Sequence, residues 1–216
     1  MFALASASAL PAAVTISALV HVPNGSAAGG PGSGAGQLTT TPTSTFTSNR
    51  LLNTTTYSVT NLNLTSVGGT ATESFNFTVT YSQAGGTGIV YSGFGNVGVV
   101  GNTDNNINPS EVLTTAVSLG TSSFAGLSLT GFTQARAGGV TGAETGTFTD
   151  GSGSVGVSSG NTIQTISGNS FDLSAGSASS INLEGYTVEF SAVPEPASAS
   201  LLALGALALL RRRRTA

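Results

Sequence analysis

Residues 74–82, SFNFTVTYS, set Phe75, Phe77, Val79 and Tyr81 at alternate positions against Asn76, Thr78 and Thr80. Successive side chains of a strand point to opposite faces, so this period of two places four large apolar groups on one face and three polar groups on the other. The chain is therefore constrained to a sheet with one face in a core. Short runs rich in Thr and Val, separated by Gly and Asn turns, recur at residues 56–65, 88–92, 112–119, 123–132, 162–166 and 181–191. No internal segment carries the apolar period of a helix. Many short strands over about 140 residues predict an all-β protein, with one β-sandwich or jelly-roll-like body over residues 50–192. A right-handed β-helix would suit the glycine content, but the chain lacks a fixed repeat period. The last candidate strand alternates Tyr186, Val188 and Phe190 with Thr187 and Glu189 and is expected to be integral to the sheet.

Composition removes several function classes. The 216 residues include 30 glycines, no cysteine, no tryptophan and only 7% charged residues, so no disulfide holds the fold. Lysine is absent, and four of the six arginines lie together at the C-terminus. The remaining Arg50 and Arg136 face eight or nine carboxylates, a net charge of −6 to −7, which argues against binding to phosphate backbones. His21 is the only histidine. A Ser-His-Asp triad, a Cys-His pair, a Schiff-base lysine and a histidine zinc site each need a residue that the body lacks once His21 is assigned to an export signal. Paired carboxylates could still serve glycoside hydrolysis, drawn from Glu73, Asp104, Glu111, Glu144, Asp150, Asp172, Glu184 and Glu189. Glu184 and Glu189 are five apart on one strand and are expected on opposite faces, and no tryptophan offers a sugar platform. The expectation is a non-enzymatic protein without cofactor or metal.

Weaker patterns resolve the same way. Asp104, Asn106 and Asn108 have the spacing of a calcium loop, but Pro109 stands where the sharp-turn glycine belongs and Thr115 where the bidentate glutamate belongs. An Asn-rich turn is the better reading. Gly151, Gly153 and Gly156 form a G-x-G-x-x-G string without strand–helix context, which reads as a loop or hairpin region. Thr45-Phe46-Thr47, Thr78-Val79-Thr80 and Thr145-Gly146-Thr147 invite ice binding, but they are irregularly spaced in sequence and threonine is an ordinary solvent-face strand residue. The sequons at Asn53, Asn63 and Asn76 are expected by chance in Asn/Thr-rich strands.

The termini say more about destination than the body says about activity. Residues 1–28 read as a signal peptide: Met1 to Val20 are rich in alanine, leucine and small residues, and Ser26-Ala27-Ala28 ends in a small-x-small pattern suited to signal peptidase. No lysine or arginine precedes Arg50, which reads as a signal shortened by a misplaced start codon. Residues 29–49, rich in Gly, Ser, Thr and Pro, read as a flexible leader. At the other end, Val193, Pro194, Glu195 and Pro196 precede the run ASASLLALGALALL over residues 197–210. As a helix that run extends about 20 Å against a hydrocarbon core of about 30 Å. Arg211, Arg212, Arg213 and Arg214 then act as a stop-transfer cluster that stays in the cytoplasm, so the body lies outside. The two prolines fix their φ angles and make VPEP a stiff extended segment.

Pro194-Glu195-Pro196, the apolar run and the four arginines resemble the PEP-CTERM sorting signal of Gram-negative and related bacteria, over residues 193–216. The resemblance implies that an exosortase-like membrane protease recognises the motif and cuts near it. It further implies transient insertion in the inner membrane, then a cell-surface or extracellular location. The expected function is a structural surface or matrix protein associated with exopolysaccharide. A carbohydrate- or surface-binding module is the alternative, with ice binding a minor form of it, and a glycoside hydrolase comes third.

Overall fold

The computed structural model describes residues 12–21, 36–38, 45–51, 53–91, 97–100 and 106–194. Fourteen strands lie among them: β1 Val14–His21, β2 Gly36–Leu38, β3 Thr45–Leu51, β4 Thr54–Leu62, β5 Glu73–Ala84, β6 Gly88–Tyr91 and β7 Val97–Val100, followed by β8 Val112–Ser122, β9 Leu127–Gly138, β10 Thr145–Asp150, β11 Gly153–Ser158, β12 Ile163–Thr165, β13 Ser170–Ala175 and β14 Asn182–Ala192. A 3-10 turn at Thr65–Val67 is the single helical element among the described residues. One antiparallel sheet runs β12-β9-β14-β1-β2, with the β6–β7 hairpin joined to β14 where Val97 meets Leu183. The other runs β11-β10-β13-β8-β5-β4-β3. The protein is all-β, as the alternation in the sequence predicts.

The two sheets close over a core of inward side chains. Phe75, Phe77, Val79 and Tyr81 are all buried, as their alternation requires. From the opposite sheet Phe190 of β14 meets Phe75 and Phe77 at ring-centre distances of 4.8 and 5.1 Å. Phe132 of β9 meets Phe171 edge-on at 4.9 Å and Tyr186 at 5.4 Å. Aromatic rings favour such tilted contacts because the positive edge of one ring meets the negative face of another. Three buried tyrosine hydroxyls solve one another's hydrogen-bonding problem: Tyr186 bonds Tyr81 at 2.7 Å and Tyr57 at 3.2 Å across the sheets. Burial, reinforced by the neighbouring Tyr57 and Tyr81, raises the pKa of Tyr186 well above its ordinary range.

The start of the fold is corrected. Residues 1–28 were expected to be a cleavable signal and residues 29–49 a leader, with the fold opening near Arg50, but β1 and β2 lie within these segments and β3 begins in the second. β1 pairs along its length with β14, from Val14 opposite Ala192 to His21 opposite Gly185, and Ile16, Ala18 and Val20 are buried in the core. The physical reason is visible in VTISALVH. Its Ala and Val content suits an export signal, yet its alternate residues Ile16, Ala18 and Val20 form a one-sided strand. The folded body therefore includes β1 and with it His21, and a cut after Ala28 would remove both.

Phe77→Ala is expected to cost about 3–5 kcal/mol through lost burial and a cavity, whereas Thr78→Ala, on the outer face, costs under about 1 kcal/mol. Thermal or chemical unfolding of the two variants separates them. A chain starting at residue 29 loses the burial of Ile16, Ala18 and Val20, worth at least about 3 kcal/mol at ordinary burial values, together with the hydrogen-bond partner of β14. Its unfolding midpoint should fall far below that of a chain starting at residue 12, and equal midpoints would mean that β1 is dispensable.

Candidate functional site

The hydrogen-bond ladder of β14 ends where the sorting segment begins. Ala192 is fully buried and sits between Val14 of β1 and Leu127 of β9. The Val193 N–H donates to the Gly126 carbonyl at 2.9 Å. Pro194 has no N–H, so the ladder cannot continue past it. Gly126 is needed at this point, because a Cβ there would collide with the Val193 carbonyl oxygen. Val193 is exposed and Pro194 half-buried. Glu195, Pro196, the apolar run and Arg211, Arg212, Arg213 and Arg214 lie outside the described residues. Among the described residues no helix is long and apolar enough to cross a membrane.

Two connections surround this strand end. The Phe124 N–H donates to Ser122 Oγ, the Ser122 hydroxyl donates to the Phe124 carbonyl at 2.9 Å, and Phe124 is buried. Leu64 and Val67, from the connection between β4 and β5, are buried as well. These side chains plug the end of the core, leaving Thr65, Ser66, Ala71, Thr72 and Ala125 on the surface.

The carboxylates considered for catalysis are spread through the fold and occupied locally. Three close a four-residue turn in the same way. The Thr70 N–H donates to Glu73 Oε1 at 2.7 Å, the Asn108 N–H to Glu111 Oε2 at 2.8 Å, and the Thr141 N–H to Glu144 Oε2 at 2.8 Å. Each glutamate stands at or just before the first residue of β5, β8 or β10. The spacing x-x-x-Glu before a strand was the sequence signal for this role, and catalytic reading passed over it. Ser123 also donates to Glu73, and this bond with that from Thr70 holds its pKa below the ordinary carboxylate range. The backbone and hydroxyl of Thr141 do the same for Glu144. Burial opposes ionisation of Asp150, but the N–H groups of Ser152, Ser167 and Gly153 outweigh it and its pKa also lies low. Asp172 accepts the Thr114 hydroxyl at 2.6 Å.

Glu184 and Glu189 share the outer face of their sheet, contrary to the expectation from simple alternation. A bulge between Leu183 and Gly185 shifts the register by one residue and turns Glu184 outward. There it pairs with Arg136 at 2.9 Å, while Glu189 accepts the Ser17 hydroxyl at 3.5 Å. Five residues of strand separate them by about 16 Å, beyond the span of about 5–9.5 Å used by glycosidase carboxylate pairs.

Asn106 and Asn108 act as turn residues. Asn106 donates to Ser180 Oγ at 3.0 Å and accepts from Asn182 Nδ2 at 3.2 Å, while Asn108 caps toward the Asn106 carbonyl. Asp104 lies outside the described residues. Among the described residues no three His, Cys, Asp or Glu side chains are grouped to hold a metal. Gly153 opens β11 with φ +148° in the β10–β11 hairpin, which is the hairpin reading of the glycine string. Tyr57, Phe75, Phe77, Tyr81, Phe124, Phe132, Phe148, Phe171, Tyr186 and Phe190 are all buried, so none of these rings is offered for sugar stacking. Thr54 stands opposite Thr80 and Thr56 opposite Thr78, the last two linked at 3.2 Å, so threonines irregular in sequence do align in space. The alignment is two strands wide, because Ala116 and Ser118 continue it on β8.

The class defined here is a β-sandwich that carries a linear processing segment directly on its last core strand. Residues 192–214 match the PEP-CTERM protein-sorting motif. The tail thus carries a PEP-CTERM sorting motif, which implies exosortase-dependent sorting across the membrane to the cell surface. No curated protein and no solved structure matches the chain.

The lowered pKa values of Glu73, Glu144 and Asp150 fix a sign for pH dependence. Their contribution is fully present above the ordinary carboxylate values of about 3.9–4.3 and is lost as pH falls through the lower folded values, because the unfolded chain then binds more protons. Denaturant unfolding from pH 7 down to pH 2.5 should show this loss. Glu144→Gln should lower stability at pH 7 by about 0.5–1.5 kcal/mol and make the acid limb shallower.

Proposed function

We propose that this protein is a non-enzymatic structural component of the bacterial cell surface or extracellular matrix. An exosortase-like protease cuts it near Pro194-Glu195-Pro196 after transient insertion in the inner membrane. The observation that carries this reading is the handover at Val193: the sorting motif overlaps the last core residue, Ala192, and the hydrogen-bonded fold stops one residue before Pro194. A cut at or beyond Pro194 removes the tail without touching the core.

Association with exopolysaccharide is supported by the outer face of the β11–β3 sheet. It presents Thr54, Thr56, Thr78, Thr80, Thr145 and Thr147 with serines between them, and Asp172 as its described charge. A broad neutral hydroxyl surface neither repels a polysaccharide nor focuses on one sugar. That suits a matrix role more than a binding module, which would use an exposed aromatic platform. The engagement of the described carboxylates in turns and ladders supports a non-catalytic role in the same way.

Intact-mass measurement of protein recovered from the cell surface or medium tests processing. The expected C-terminus lies near Pro196 and lacks the four arginines, with the full tail retained in a strain without exosortase and in a Glu195→Ala variant. Recovery of full-length protein from the surface of the parent strain would sink the processing reading.

A further inference from the structure

Both ends of the described body leave the sandwich side by side. β1 and β14 are antiparallel and Val14 lies opposite Ala192, so the chain before Val14 and the chain after Ala192 emerge at the same end. The sequence on each side of this exit is apolar, FALASASALPAA over residues 2–13 and ASASLLALGALALL over residues 197–210. Only residues 193–196 separate β14 from the second run. Four extended residues span at most about 14 Å, roughly twice the interfacial layer on one side of a bilayer, about 5–8 Å, so they leave the sandwich no more than about 10 Å beyond that layer. A tail inserted in the membrane therefore holds this end of the sandwich at the headgroups.

The chemistry of the two ends differs in the sense this requires. The exit end is built by the 62–73 and 122–127 connections. Glu73 is the one Asp, Glu, Lys or Arg between residues 51 and 103, and there is none between residues 112 and 135. Glu73 is 7% exposed, with its carboxylate accepting from Thr70 and Ser123. The opposite end holds Glu111, Glu144 and the Arg136–Glu184 pair. An anionic bilayer repels a carboxylate-rich surface and tolerates a neutral one.

We propose that the exit end of the sandwich is a membrane-contact surface. The 62–73 and 122–127 connections lie against the lipid headgroups until the tail is cut, and the Glu111–Glu144–Glu184 end points away. This rests on the tail being membrane-inserted, as in the function proposed above.

The absence of cysteine allows a clean test. Ala71→Cys and Ala125→Cys report the contact end, and Ala143→Cys and Ser177→Cys the opposite end; all four positions are exposed turn residues. The full chain is reconstituted in vesicles of phosphatidylglycerol and phosphatidylethanolamine, and each cysteine carries an environment-sensitive fluorophore. Headgroup-spin-labelled lipid should quench positions 71 and 125 several-fold more than positions 143 and 177, and a chain ending at Pro194 should lose the difference. If the full chain floats with vesicles but both ends quench alike, the tail reading stands and the contact surface is refuted. If the full chain does not float with vesicles, the membrane reading of the tail fails and the contact surface falls with it. Two positions at each end keep the result readable should one variant fold poorly.

Discussion

The insertion of the last strand between β9 and β1 is the interaction on which the rest of the sandwich depends. β14 is paired on both sides, and its inward face supplies Tyr186, Val188, Phe190 and Ala192 to the core. Phe190 reaches two rings of the opposite sheet, and Tyr186 shares its hydroxyl with two tyrosines there. A buried hydroxyl without a partner costs about 1–3 kcal/mol, so the tyrosine trio fixes the relative position of the sheets more sharply than apolar contact alone would. The register of β14 is thereby set from both faces. A slip by one residue would turn Phe190 to solvent and separate the hydroxyls.

With so few charges available, this chain uses carboxylates mainly as hydrogen-bond acceptors for backbone. Glu73, Glu111 and Glu144 each close the turn that launches a strand, and Asp150 collects N–H groups from two adjacent connections. A carboxylate offers about four acceptor sites on two oxygens, against the two on the single oxygen of a serine or threonine. This role and general acid catalysis pull in opposite directions. Bonds from N–H groups favour the ionised form, whereas a general acid must retain its proton near neutral pH. The lowered pKa values of Glu73, Glu144 and Asp150 thus follow from the same geometry that builds the fold.

Legibility in the sequence tracked the contrast between neighbouring residues. β5 was plain because large apolar and small polar side chains alternate over its length, and β14 was plain for the same reason. The β10–β11 hairpin was legible only as a loop or hairpin at the glycine string, not as two strands, because Gly146 in β10 and Gly153 and Gly156 in β11 weaken the side-chain contrast on which the pattern depends. β13 offers only Phe171 and Leu173 as inward markers. β1 was misassigned because its composition matched an export signal and outweighed its alternation. The bulge at Glu184 was invisible, since a one-residue register shift leaves no mark in a single sequence. The PEP-CTERM tail was legible because its recognition is linear, three ordered features that need no tertiary contact to be seen.

Linear recognition also explains where the fold must stop. A protease grips an extended strand, and a residue paired on both sides cannot be gripped without opening the sheet. Ala192 lies within the sorting motif, yet it is buried between Val14 and Leu127, so access begins at Val193 and becomes unhindered only where Pro194 ends the ladder. The proline therefore separates what the core needs from what the enzyme needs. The same cut changes the electrostatics of the product. The intact chain carries a net charge of −3 with four arginines at its end, and loss of residues from Glu195 onward leaves two arginines against eight carboxylates, a net charge of −6. An anionic leaflet attracts the first through its basic cluster and repels the second. In the function proposed above, a cut at this position removes both the tether and the basic cluster that favours the membrane, and it requires no unfolding of the sandwich.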